Sequence, residues 1–387
     1  MRLSDFMPDA LSDSVEVIVS GHLCMDLIPA MSRVTLQQLA TPGRLWETGP
    51  MGISTGGAVS NTGIALHRLG VNVRLMATVG DDLLGQAIIA YLNSQDPTLG
   101  QYISVQAKQP TSYSVVLSPE ASDRTFLHCT GTNSTFGIDN INYDLVAGAK
   151  IFHLGYPPLL PRLIANDGAQ MREMCQRAKA VGVVTSIDTV MTDPEGATKH
   201  VNWRAVWVNT LPHIDIFLPS VEELVMMLRR SDYDAWNGKV LPHLTGAYLH
   251  ELAGELLGMG AAIAGFKLGE MGLYLRTADA ARLDSLKKLG LVPAAWANVE
   301  LWTPAYQVTV AGTTGAGDSA FAGFLAALLH GLPPLDAMRW ACAVGACNVE
   351  AVDSTSGVRS WEETRARLES VWPTRPERPA GVQSLDG

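Results

Sequence analysis

Near the end of the chain, Gly312-Thr313-Thr314-Gly315-Ala316-Gly317-Asp318-Ser319 leads directly into a long apolar run. Small residues let the backbone turn tightly. The amides of Gly315, Ala316 and Gly317 can then converge at the start of the helix that the run predicts. Such a turn is an anion cradle, built from orphan N–H groups and the positive end of the helix dipole. Asp318 falls in the first helical turn, beside the cradle. An anion site with an adjacent carboxylate suits phosphoryl transfer to an alcohol: the amides hold the moving group and the carboxylate takes the hydroxyl proton. Two other readings share these residues. One is a plain glycine turn with Asp318 as a favourable helix-start residue. The other is a dinucleotide fingerprint, Gly315-x-Gly317-x-x-Ala320, with Asp336 as its ribose acid. That reading needs Asp336 to end a strand, but Asp336 follows Pro333-Pro334 and opens a predicted helix over 335–348.

Other chemistries lack their residues. Nothing matches the Walker A pattern or H-E-x-x-H, and the protein-kinase H-R-D and D-F-G signatures are missing. The nine histidines are scattered, and His22, His128 and His153 adjoin predicted strand ends, where a lone His is most often a hydrogen-bonded core residue. The five cysteines include no C-x-x-C pair, so neither a zinc site nor a thioredoxin-type site is indicated, and a reduced, cytoplasmic compartment is expected.

The elements that must position the turn are those of an α/β protein. Residues 15–20 form a short β-branched run, and 58–69 carry apolar residues at helical spacing with Gly70 just beyond. Residues 73–79 read as a strand and 84–92 as a helix. Further strands are expected at 150–154, 181–187, 214–218 and 262–268, mostly followed by helical stretches, which predicts a parallel sheet. Residues 33–54 and 102–129 are richer in Thr, Ser, Tyr and Val and read as a small separate sheet. Residues 232–247 and 277–300 read as surface insertions, and the polar, Pro-rich stretch from 373 to 387 as an unstructured tail.

Composition agrees. The chain has 387 residues, 47% hydrophobic and 17% charged, below the roughly 25% charged typical of soluble domains. That suits a buried sheet wrapped by helices. The net charge of −10 argues against nucleic acid or an anionic membrane as partner. The apolar, uncharged run 319–335 carries His330 and closes with Pro333-Pro334-Leu335, short of the roughly 20 apolar residues of a spanning helix.

Taken in order, several segments resemble the PfkB (ribokinase-like) carbohydrate kinases. The residues from Gly312 to Asp318 are similar to the family's D-T-x-G-A-G-D. Gly56-Gly57-Ala58-Val59-Ser60-Asn61 matches G-G-x-x-x-N, and the stretch from Gly21 to Asp26 matches G-x-x-x-x-D. Val79-Gly80-Asp81-Asp82-Leu83-Leu84-Gly85 resembles V-G-D-D-x-x-G. Pro110-Thr111, Asp123-Arg124-Thr125 and Gly131-Thr132-Asn133 resemble the lid strands and the stretch after them. Pro219-Ser220-Val221-Glu222-Glu223 resembles P-N-x-x-E, and Lys267-Leu268-Gly269-Glu270-Met271-Gly272 resembles T-L-G-x-x-G.

The resemblance implies a Rossmann-like central sheet between helices with a small β lid. One kinase domain would span 1–372, with lid strands within about 30–55 and 102–130. It implies an ATP- and Mg²⁺-dependent sugar kinase with Asp318 as base and Gly315, Ala316 and Gly317 as the anion hole. Asp26, Gly57 and Asn61 would bind the sugar, Lys267 and Gly269 would line the nucleotide site, and Glu223 would organise Mg²⁺ through water. Arg124 is a lid candidate facing the substrate. A homodimer through the lid is an expectation of the same kind. Three positions depart from the pattern: Gly312 replaces the signature Asp, Ser220 the Asn, and Lys267 the Thr. The first predicts weak or absent K⁺ activation. The acceptor is a polyol of unspecified identity, a nucleoside included. The departures also leave open a sugar- or nucleotide-binding regulator without catalysis.

Overall fold

The computed structural model describes residues 14–31, 34–119 and 125–382. Thirteen strands occur among them: β1 (Val17–Gly21), β2 (Cys24–Pro29), β3 (Met51–Gly56), β4 (Val73–Gly80), β5 (Ile103–Gln106), β6 (Tyr113–Leu117), β7 (Thr125–Cys129), β8 (Ile151–Gly155), β9 (Val184–Asp188), β10 (Ile216–Phe217), β11 (Ile263–Lys267), β12 (Leu273–Thr277) and β13 (Glu300–Thr303). Nine of them form one sheet in the order β13-β12-β11-β10-β9-β8-β1-β4-β5. The sheet is parallel from β5 to β11 and antiparallel at the β12 and β13 edge.

Parallel strands need helical crossovers, and those helices cover both faces of the sheet. β1, β8, β9 and β11 are accordingly buried along their whole length. Alternate residues of β1 serve opposite cores. Val17 and Val19 pack with Val59, Phe321 and Phe324, whereas Ile18 packs with Phe152, Leu163 and Phe217.

The small sheet has the order β3-β2-β6-β7. The sequence places its strands within 30–55 and 102–130. The structure starts it earlier, at Cys24, and gives Ile103–Gln106 to the large sheet, beside β4. Four residues of mixed polarity carry no signal for which sheet they join. Arg124 lies outside the described residues. No helix of the described residues is long and apolar enough to cross a membrane.

The C-terminal stretch needs correction. The sequence predicts an unstructured tail from Pro373, yet residues 373–382 run along the body. Gln307 N–H donates to Pro373 O, Arg375 N–H to Ala305 O and Gly246 N–H to Ala380 O, each at 2.8 Å. Trp372 stacks on Tyr306 with ring centroids 4.3 Å apart. These are backbone pairs beside one aromatic anchor, and neither needs an apolar periodicity. Residues 383–387 lie outside the described residues.

The carboxyl ends of β8, β9 and β11 lie along one edge of the large sheet. In open α/β sheets that edge is where ligands bind. It brings Tyr156, Asp188 and Lys267 together.

Candidate active site

The glycine turn ends where the sequence places it, at the Ala316–Leu329 helix. Gly315 caps this helix with φ 72°, and a Cβ there would lie 2.2 Å from Ser354 O, so no other residue fits. Ala316 N–H makes a 3.3 Å bond to Thr313 O that tightens the turn. The helix start presents backbone amides and the positive end of its dipole, the features from which an anion cradle can be built.

Asp318 is buried in the first turn. Its Oδ2 accepts hydrogen bonds from Asn61 Nδ2 at 3.0 Å and from the Tyr156 hydroxyl at 2.8 Å. Thr62 donates to Oδ1 at the longer distance of 3.4 Å. Burial pushes the Asp318 carboxyl up, against the pull of Lys267 and of these donors, and leaves it above the usual carboxylate range. That shift favours a base, since basicity rises toward the working pH.

Behind the cradle is a buried ion pair. Lys267 Nζ lies 2.7 and 2.6 Å from the two carboxylate oxygens of Asp188. Burial alone would lower the ammonium pKa; Asp188 and Glu223 reverse this and hold it above its ordinary value. Glu223, also buried, is occupied through one oxygen: Oε2 accepts from the Thr189 hydroxyl and from Ser220 N–H, closing the cap of the Val221–Leu228 helix. Gly269 sits two residues beyond Lys267, in a tight turn with φ 56°.

The sugar-site candidates divide. Asn61 is directed at the Asp318 carboxylate. Gly57, with φ 90°, starts the Ala58–Arg68 helix, and a Cβ there would lie 2.5 Å from His22 Nδ1. Asp26 lies on β2 of the small sheet, over Gly56, where a Cβ would come within 2.3 Å of Oδ2. Burial pushes the Asp26 carboxyl up to about 6, against weak bonding from Cys24 and Ser114. Ser114 also bonds His128 Nδ1 at 3.0 Å, and the His22 and His128 rings lie 5.3 Å apart. Burial, with His128 nearby, pushes His22 down to about 3, so its ring is neutral.

Three residues near Asp318 escape the sequence reading: Tyr156, Asp188 and Thr62. Asp188 directly follows the strand predicted at 181–187 and Tyr156 lies two residues beyond the one predicted at 150–154, and that position is their one signal. Thr62 is merely the neighbour of Asn61.

The sequence profile described as pfkB family carbohydrate kinase matches residues 15–361. The chain belongs to this family. A similar pfkB relative is the 2-dehydro-3-deoxygluconokinase of Bacillus subtilis, 24% identical over 338 residues, which are 84% of this chain and 90% of that one. The Arabidopsis thaliana probable fructokinase-2 is 26% identical over 191 residues, 49% of this chain and 54% of its own length. The match therefore spans about half of that fructokinase. Among solved structures, the Arabidopsis thaliana ribokinase complexed with ribose and ATP aligns with a TM-score of 0.70 at 17% identity, covering 92% of this chain and 99% of that one. A putative ribokinase II from E. coli in complex with ATP and Mg²⁺ aligns at 0.66 and 19% identity, covering 91% and 98%. The fold is therefore ribokinase-like, and this pfkB protein is a carbohydrate kinase.

Proposed function

We propose that this pfkB kinase transfers the γ-phosphoryl group of ATP to a hydroxyl of a sugar or sugar derivative, with Asp318 as general base. One observation carries the reading: a buried carboxylate, held by Asn61 and Tyr156, stands in the first turn of the helix whose start forms the Gly315-Ala316-Gly317 cradle. The acceptor hydroxyl gives its proton to Asp318 as its oxygen bonds to the γ-phosphorus. The bond from phosphorus to the β,γ-bridging oxygen breaks, and that oxygen leaves with ADP. The cradle amides and Lys267 stabilise charge on the transferred group.

Magnesium fits this site in one mode only. Among the described residues there is no group of three or more His, Cys, Asp or Glu side chains placed to hold a metal ion. Mg²⁺ commonly binds through one or two carboxylates, substrate phosphates and water. Glu223, buried with one oxygen committed to its helix cap, suits such water-mediated contact. Bound there, the ion would neutralise phosphate charge.

Asp26 and Gly57 would hold the acceptor at the base of the lid. The relatives' names favour a hexose-sized sugar or sugar acid over a nucleoside. Retention of Asp318 and of the cradle speaks against a regulator that only binds. Exposed Met51, Ile53, Phe126 and Leu127 on the small sheet support a homodimer through the lid. The test is acceptor-dependent ADP release across sugars, sugar acids and nucleosides. The reading expects turnover with at least one sugar or sugar acid; ATP and sugar binding without any turnover would refute it.

A further inference from the structure

Tyr156 has an unusual backbone for a residue of its type. Its φ and ψ are 60° and 47°, the left-handed region, and it precedes Pro157. Non-glycine residues rarely adopt this conformation, and it persists only where the surroundings over-determine it. Here they do. Tyr156 N–H donates to Asp188 O at 3.0 Å, and Leu159 N–H returns a 3.0 Å bond to Tyr156 O. The preceding residue, Gly155, packs directly on Ala58, since a Cβ on Gly155 would lie 2.1 Å from Ala58 Cβ. Ala58 is one helical turn before Asn61 and Thr62. The same contact therefore fixes Tyr156 relative to the helix that carries the other donors. The Tyr156 ring is half-buried beside His22, with centroids 6.2 Å apart.

The result is an asymmetric carboxylate. Oδ2 of Asp318 receives two donors at 3.0 and 2.8 Å. Among the described residues the one donor to Oδ1 is Thr62, at 3.4 Å, through a hydroxyl that can rotate away. Hydrogen bonds to a carboxylate oxygen stabilise its charge and reduce its affinity for a proton. We propose that Tyr156 is the positioning residue for the transfer base: with Asn61 it occupies Oδ2, fixes the carboxylate plane, and leaves Oδ1 as the oxygen that takes the acceptor's proton. This rests on Asp318 being the base.

The charged and titratable groups facing Asp318 are Lys267 on β11, Asp188 on β9, Glu223 on the Val221–Leu228 helix, and Tyr156 itself. Lys267 favours the ionised form; Asp188 and Glu223 oppose it. The two donors to Oδ2 are Asn61 and Tyr156, so removing the Tyr156 hydroxyl changes one interaction while the surrounding charges stay.

The decisive experiment needs no known acceptor. The full-length protein is labelled with ¹³C at the aspartate side-chain carboxyl, and the Asp318 resonance is identified by its loss in Asp318→Asn. Its titration is compared in wild type, Tyr156→Phe and Asn61→Ala. Each of the two variants is expected to raise the Asp318 midpoint by about 1–2 pH units, as loss of a hydrogen bond to a charged group implies. In kinetics on 2-dehydro-3-deoxygluconate or D-fructose, the acid limb of kcat/KM should move by the same amount in Tyr156→Phe. KM for ATP should change less than about twofold, because Tyr156 acts on the base rather than on the nucleotide. A lower melting temperature with an unmoved midpoint would make Tyr156 a structural residue only and overturn the proposal. If Tyr156→Phe fails to fold, Asn61→Ala decides alone, and an unmoved midpoint there is equally contrary. A wild-type enzyme that phosphorylates no sugar would refute the kinase reaction proposed above, while the titration would still settle the role of Tyr156.

Discussion

Lys267 places its ammonium between the Asp188 carboxylate, 2.7 and 2.6 Å away, and the backbone of Gly317, where a Cβ would lie 3.1 Å from Nζ. A fixed positive charge thus stands directly behind the glycine turn at the start of the Ala316–Leu329 helix. The family's pattern has a neutral threonine there, so this chain carries its own cation at the loop.

Removing that cation leaves Asp188 buried and unpaired. Lys267→Met is expected to destabilise the protein by about 3–5 kcal/mol, the usual loss when one partner of a buried pair is deleted. The double change Lys267→Met with Asp188→Asn should recover much of it. Urea unfolding of the two variants checks this, and a single-variant loss below about 1 kcal/mol would mean that the pair is not buried in solution.

The same arrangement bears on potassium. Gly312 offers no side chain to a cation, and its surroundings are crowded: a Cβ would lie 2.7 Å from Val352 O and 3.0 Å from Ala351 O. Turnover should therefore be nearly the same with K⁺ or with a bulky organic cation at equal ionic strength. A large, saturable rise with millimolar K⁺ would contradict this. The crowding also means that Gly312→Asp requires backbone movement, so it is expected to destabilise the loop before it restores any cation site.

Asp26, proposed to hold the acceptor, also bears on stability. Its folded pKa, about 6, lies above the ordinary 3.8, so between these values the folded state binds more protons than the unfolded one. Its contribution to stability is therefore fully present below about pH 4 and is lost as pH rises through about 6. Asp26→Asn should raise stability near pH 7.5 by about 1–3 kcal/mol, with the gain vanishing near pH 4. It should also impair sugar use. Thermal melts across pH measure the first effect, and equal gains at both pH values would mean that Asp26 is not desolvated.

How far the sequence reaches depends on chain distance. The anion turn is legible because its chemistry is contiguous, from Gly312 to Asp318. The strands at 151–155, 184–188 and 263–267 are legible because burial on both faces selects short runs with little charge. The partners of the base are not. Asn61 is 257 residues and Tyr156 162 residues from Asp318, and the Lys267–Asp188 pair spans 79. Spacing rules act within an element, whereas these meetings depend on how the sheet orders its strands. The resemblance to a family singled out Asn61 and Lys267; the structure adds that Asn61 bonds the Asp318 carboxylate and that Lys267 is paired with Asp188. Tyr156 had no motif to mark it, since its conformation is imposed by the Gly155 and Ala58 contact.

Asp318 is the proposed acceptor of the hydroxyl proton. Asp318→Asn keeps the size of the side chain and removes the base. Acceptor-dependent ADP release by this variant should fall by about 10²–10⁴, the usual contribution of a general base, while calorimetric ATP affinity stays within about twofold of wild type. An Asp318→Asn enzyme that keeps more than about a tenth of wild-type turnover would contradict the account.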